Sequence, residues 1–349
     1  MTALRNTSVC WVLVSILLLG CAAPNEPLTH NDPSRYTVAA NVPWSAPEGF
    51  DLSMDIYTPR SGKASYPVLV MFHGGGWLIN DKSIMDQAAK YMASNGEYVV
   101  CNVDYRLLGD QGNTVTLNEI VNDALGAVLW VKDNIASYGG DPDRVALTGD
   151  SAGAHLAAAV VNLGLNLSSR DYAQNNLAFQ PSYLPEGMTA EQVAVDDGLA
   201  VQAAVLSYGV FDVAGSAGGG FESWKNPFWY FGGALPRGVF GGDYSLQSHP
   251  ELYRGVSPAH NVPTATERLL PPQLLTVGSE DPLTTPESVH GYQAALMAAG
   301  QTARYWEHEG RGHAFLDSGS NALLGVSFAD NAPEALDVML GFLHEVFYP

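Results

Sequence analysis

The chain has 349 residues, 46% of them apolar, which is enough for a large hydrophobic core within one α/β domain. Its 36 acidic residues against 16 basic ones give a formal charge of −20, which repels nucleic acid and anionic membrane surfaces and argues against both as partners. Cys10, Cys21 and Cys101 predict no disulfide framework: the first falls in an N-terminal leader, the second just after it and the third in an apolar strand pattern.

In that leader Arg5 is followed by an apolar run over 9–19, the length of a signal-peptide core and short for a membrane span. The run closes on Leu18-Leu19-Gly20-Cys21-Ala22, which resembles a bacterial lipobox. The resemblance implies a lipoprotein-type signal peptide over 1–20, lipidation of Cys21 and a tether over 21–35. It implies an exported protein of the cell envelope, on a membrane only through its acyl chains. Plain secretion after cleavage nearby is the alternative.

Beyond the tether, residues 37–42 and 52–57 alternate apolar and polar, as hairpin strands at a sheet edge do. Residues 68–72 are apolar throughout, the pattern of a strand buried on both faces. A helix is predicted over 83–94 and a strand over 98–103. Residues 117–138 place Ile120, Val121, Leu125, Val128, Leu129 and Ile135 near a 3.6-residue period, a long helix closed by Gly139-Gly140. A turn at Asp141-Pro142-Asp143 leads to a strand over 145–148 and an Ala-rich helix over 152–163. Strands follow over 201–207 and 274–277. Thr285-Pro286 caps a helix running to Gly300, a strand covers 303–307, and a last helix opens at Asn331 with Glu334 placed for a capping box.

Strands separated by helices predict an α/β fold whose mostly parallel central sheet is covered on both faces. Residues 36–349 read as one domain with insertions around 166–200 and 211–270. The second insertion carries Phe221, Trp224, Phe228, Trp229, Tyr230, Phe231 and Phe240. Its length suits either a lid or an added packed layer.

Gly149-Asp150-Ser151-Ala152-Gly153 sits between the 145–148 strand and the helix after it, the strand–turn–helix context of a nucleophile elbow. A serine needs a base beside it to attack at neutral pH. His313, in the glycine-rich loop Gly310-Arg311-Gly312-His313 past the last strand, is the histidine placed for that work. His155 lies one turn along the nucleophile helix and reads as a packing or buried hydrogen-bonding residue. Asp281 and Glu280 both follow the 274–277 strand. Asp281, stiffened by Pro282, is the favoured orienting acid. Backbone N–H groups of Gly74, Gly75 and Ala152 are the expected oxyanion donors, because glycine lets the main chain approach a tetrahedral centre. His73, Gly76, Trp77 and Asp150 are expected in support: His73 holds the loop and Trp77 walls it. Asp104-Tyr105-Arg106 reads as a packing and ion-pair feature. No histidine and carboxylate cluster resembles a metal set, and no cofactor is expected.

With His73-Gly74-Gly75-Gly76-Trp77, Asp104-Tyr105-Arg106-Leu107, Asp281-Pro282-Leu283 and Gly312-His313-Ala314-Phe315 added to the elbow, the chain resembles α/β-hydrolases of the hormone-sensitive-lipase or bacterial carboxylesterase type. Little chain separates Cys21 from the first strand, so there is no helical cap there. The set therefore looks closer to a cap-poor, feruloyl-esterase-like branch. The resemblance implies cofactor-free serine esterase chemistry on small or carbohydrate-linked esters. Feruloyl or acetyl esters of polysaccharide, an arylformamidase-like amide, and a catalytically silent binding fold are the alternatives.

Overall fold

The structure, a computed structural model, describes residues 32–168, 177–322 and 324–349. The apolar runs of the chain lie side by side in one sheet. Its strands are β1 (Tyr36–Ser45), β2 (Leu52–Pro59), β3 (Tyr66–Phe72), β4 (Val99–Val103), β5 (Gly140–Asp150), β6 (Ala203–Ser207), β7 (Gln273–Gly278) and β8 (Ala303–His308). Their spatial order is β1-β2-β4-β3-β5-β6-β7-β8. β2 pairs antiparallel with β1 and β4, and every other pairing is parallel. All residues of β3, β4, β6 and β7 are buried, as unbroken apolar runs require of strands covered on both faces. The edge strands β1 and β8 keep exposed positions.

Five long helices cover the sheet: α1 (Asp86–Gly96), α2 (Leu117–Asn134), α3 (Ala152–Leu163), α4 (Pro286–Ala298) and α5 (Phe328–Phe347). α1 packs with α5, and α2 packs with α3, so both faces are closed. Every residue of α3 is buried. Its small side chains permit this: a Cβ on Gly153 would stand 2.0 Å from the Phe72 carbonyl oxygen. The parallel register pairs Phe72 with Gly149, Asp150 with Ser207 and Ser207 with Thr276, so the loops after β3, β5, β6 and β7 leave from one rim.

Three elements differ from expectation. β5 begins at Gly140 and absorbs the Asp141-Pro142-Asp143 turn, with a register shift against β3 between Tyr66 and Val68. α2 stops at Asn134 and tightens into a 3-10 turn, Ile135–Tyr138, before Gly139 turns left-handed at φ 83°. α5 begins at Phe328, with Pro333 inside it. The side chain of Asn331 accepts the Ser327 N–H at 2.7 Å and buried Phe328 is drawn into the core, so the helix gains a turn ahead of its expected start. The signal peptide and Cys21 lie outside the described residues. The end of the expected tether is docked on the fold: Pro33–Arg35 form a turn capped by Asp32, and Arg35 reaches Asn95 at 3.3 Å.

Short helices Val213–Gly218, Pro227–Phe231 and Pro250–Gly255 build an insertion between β6 and β7 that resembles a lid. Its aromatics divide. Trp229 and Phe240 are buried, whereas Trp224 and Phe231 are about 70% exposed. No helix among the described residues is long and apolar enough to cross a membrane.

Candidate active site

β5 ends at Asp150 and α3 begins at Ala152, so Ser151 alone makes the turn. It does so at φ 51° and ψ −115°, a backbone state that costs a non-glycine residue about 1–3 kcal/mol. The surroundings enforce it. Ser151 N–H donates to the Ser207 carbonyl at 2.9 Å, and the first turn of α3 is held by His155 N–H on the Ser151 carbonyl at 3.2 Å. On the flanks a Cβ on Gly149 would lie 2.4 Å from the Gly153 backbone.

The hydroxyl of Ser151 lies 3.0 Å from His313 Nε2, and His313 Nδ1 lies 2.7 Å from Asp281 Oδ2. Three residues separated by 130 and 32 positions thus form one hydrogen-bonded line. With Asp281 accepting from Nδ1–H, Nε2 is left as the acceptor for the serine proton. All three side chains are largely buried, Ser151 at 8% and His313 at 9% exposure.

Asp281 is aimed by its own turn. Its Oδ1 accepts the N–H groups of Leu283 at 2.8 Å and Thr284 at 3.0 Å. Thr284 Oγ1 stands 3.0 Å from Asp281 Oδ2, 3.3 Å from His313 Nδ1 and 2.8 Å from the Tyr208 carbonyl. Glu280, the other acid considered, is exposed. Thr284 and Tyr208 were not anticipated. Tyr208 follows β6 at φ 40°, packs its ring edge-on to His313 at 4.8 Å, and accepts the Leu316 N–H on its hydroxyl at 3.2 Å. It ties the histidine loop to the sheet.

The loop after β3 holds the glycines expected as oxyanion donors. Gly74 N–H donates to Asp150 Oδ1 at 2.7 Å, so it is already committed. The Gly74 carbonyl is held by His73 Nδ1 at 2.8 Å. A side chain at Gly74 would collide with the Asp150 carboxylate, at 2.3 Å. The N–H groups of Gly75 and Gly76 donate to no protein acceptor among the described residues. Ala152, the first residue of α3, has no intrahelical acceptor for its N–H. Among the described residues, Gly75, Gly76 and Ala152 thus keep N–H groups free of a protein acceptor, whereas Gly74 does not. Gly75 sits at φ 118°, where a Cβ would lie 2.2 Å from the Ile79 carbonyl oxygen.

His73 is buried and stacks on Tyr105 at 4.3 Å, while the Tyr105 hydroxyl donates to the His73 carbonyl at 2.5 Å. Burial lowers the His73 pKa, so the ring is neutral and acts as a strut. Trp77, at φ 58°, is buried edge-on between His155 and Phe221. His155 bonds the Val256 carbonyl at 2.8 Å, and burial pushes its pKa down to about 4. Arg106 makes the expected ion pair, with Nε and Nη2 each 2.9 Å from Asp123. Burial, reinforced by the charge of Asp317, raises the Asp150 carboxyl well above the usual carboxylate range despite the Gly74 N–H. Burial likewise pushes Asp317 up to about 6. Asp317 had no motif to announce it. No group of three or more metal-ligating side chains occurs among the described residues.

Residues 54–296 match the profile of the BD-FAE family. The chain belongs to this family of α/β-hydrolase-fold esterases. Carboxylesterase NlhH of Mycobacterium tuberculosis is 33% identical over 138 residues, 40% of this chain and 40% of that protein. Esterase LipQ of the same species is 31% identical over 252 residues, 71% of this chain and 50% of LipQ. The chain thus spans about half or less of the length of these curated relatives. Among solved structures, esterase 2 of Thermogutta terrifontis with bound propionate shares the fold, with TM-score 0.60 and 23% identity over 90% of this chain and 95% of that one.

Proposed function

We propose that this BD-FAE member is a serine carboxylic-ester hydrolase working through an acyl-enzyme. The line from Asp281 through His313 to Ser151, at 2.7 and 3.0 Å, carries the reading. Ser151 Oγ attacks the ester carbonyl as its proton passes to His313 Nε2. The oxyanion that forms is met by the N–H groups of Gly75, Gly76 and Ala152. His313 returns the proton to the leaving alcohol as the C–O bond breaks. Water, deprotonated by the same imidazole, then attacks the acyl-enzyme and releases the acid and free Ser151. Asp281 keeps Nδ1 protonated and steadies the imidazolium, without itself taking the proton.

Small esters are the substrate class that the named relatives support, since NlhH is a carboxylesterase and LipQ an esterase. A fluorophosphonate probe should label Ser151, and Ser151→Ala should lose both labelling and turnover of p-nitrophenyl acetate. An unlabelled wild-type protein would leave the fold as a binding scaffold. Methyl ferulate, acetylated xylan and N-formylkynurenine then sort the acyl group. Export with acylation at Cys21 rests on the lipobox-like sequence. Incorporation of labelled palmitate into wild type but not into Cys21→Ala tests it.

A further inference from the structure

Tyr208, the residue after β6, is fully buried and belongs to no motif. Its backbone stands at φ 40°, a region that an aromatic residue seldom adopts. Neighbouring strand ends hold it there. Its N–H donates to the Thr276 carbonyl of β7 at 2.5 Å, and the carbonyl just before it, that of Ser207, accepts the Ser151 N–H at 2.9 Å. A residue kept in an uncommon backbone state by its surroundings calls for a functional reason.

The contacts of Tyr208 reach the supports of every group proposed to react. Its carbonyl oxygen lies 2.8 Å from Thr284 Oγ1, which stands 3.0 Å from Asp281 Oδ2. Its ring meets His313 edge-on at 4.8 Å and Phe315 at 4.6 Å. Its hydroxyl accepts the Leu316 N–H, in the loop of His313, at 3.2 Å. The same hydroxyl is directed at the Asp150 carboxyl, where it works against the rise that burial imposes on that acid. Asp150 Oδ1 in turn holds the Gly74 N–H at 2.7 Å. Burial, reinforced by the charge of Asp150, raises the Tyr208 pKa well above the usual phenol range, so the oxygen keeps its proton to donate.

We propose that Tyr208 is a positioning residue whose hydroxyl, through Asp150, sets the loop of Gly74, Gly75 and Gly76 and the loop of His313 relative to each other. The inference rests on the esterase reading and deepens it. Proton transfer to His313 and the build-up of charge on the ester oxygen belong to one step. The base and the N–H groups that meet that oxygen must therefore be in place together. They are carried on separate loops, one after β3 and one after β8. The Tyr208 oxygen joins the two beyond the strand ends, and it acts through Asp150 and Leu316, not on the ester.

The test is kcat and KM of the full chain on p-nitrophenyl acetate, with kcat expressed per serine titrated by a fluorophosphonate. Tyr208→Phe removes one oxygen and keeps the ring against His313. It should lower kcat about tenfold, the scale of one buried hydrogen bond, with KM held. In an Asp150→Ala background, where the bridge is already cut, adding Tyr208→Phe should cost less than about twofold. Asp150→Ser stands in where Asp150→Ala fails to fold. Wild-type kcat in Tyr208→Phe overturns the proposal. So does a loss confined to the number of titratable serines, or the same loss in both backgrounds. A Tyr208→Phe chain that does not fold marks the hydroxyl as structural and overturns it too. Failure of the esterase reading shows differently, as a wild-type chain that is labelled yet has no turnover, and the same cycle is then read in labelling rates.

Discussion

The Asp281 and Ser151 ends of the line proposed as catalytic are built differently. At the acid end, Asp281 is positioned by hydrogen bonds from Leu283, Thr284 and His313 to its two oxygens. Each bond is one of several, so each can be weakened separately. At the nucleophile end, Ser151 and its oxyanion loop are positioned by missing side chains. A Cβ would come within 2.0 Å of backbone at Gly153, 2.2 Å at Gly75 and 2.4 Å at Gly149. Backbone against backbone leaves no flexible atom to give way. The acid end should respond to substitution by degrees, and the nucleophile end by collapse.

Four substitutions probe this contrast. Ser151→Ala removes the attacking atom and should cut kcat by about 10⁴-fold or more at unchanged thermal stability. Full residual turnover would refute the assignment. Next, Gly75→Ala should lower kcat about 10²–10³-fold, the effect of losing an oxyanion donor, because the loop must move to clear Ile79. If Gly75→Ala were as active as wild type, the nucleophile end would be as forgiving as the acid end and the contrast would fail. Thr284→Val takes away one of the contacts on Asp281 and should cost about tenfold in kcat, with KM held. A loss as large as that of Gly75→Ala would show that the acid end too is all-or-none.

The smallest effect belongs to Asp317. Its folded pKa of about 6 lies above the 3.8 ordinary for an aspartate, so between the two the native state holds a proton that the unfolded chain has lost. Native stability therefore falls as pH rises from about 4 to 6, and the loss persists above that window. Asp317→Asn should flatten this slope and gain on the order of 1 kcal/mol at pH 7, read from denaturant unfolding at several pH values. An unchanged pH slope would mean that the carboxyl ionises as if exposed.

The parts of the site legible in the sequence are those whose chemistry is local. Ser151 is set by glycines two positions either side, and His313 by its loop past the last strand. The strand pattern was equally local, because burial on both faces leaves an unbroken apolar run. What escaped depends on contacts between distant segments. Which glycines offer free N–H groups is decided by Asp150, 76 residues away from Gly74. Tyr208, Thr284 and Asp317 carry no motif, and only the converging strand ends give them a role. The insertion shows the same limit: Trp224 and Trp229 are five residues apart and chemically alike, yet one is exposed and the other buried. The early start of α5 follows from Asn331 capping from inside the helix, which outweighs the breaking signal of Pro333.

The Asp150–Gly74 bond has a kinetic reading. It spans the tips of β3 and β5, which adjoin in space while α1, β4 and α2 intervene along the chain. An intermediate with only local helices and hairpins therefore owns neither an aligned serine nor an oriented oxyanion loop. In refolding from denaturant, the proposed turnover should therefore return only once β3 and β5 have paired, and trail the first return of helical signal.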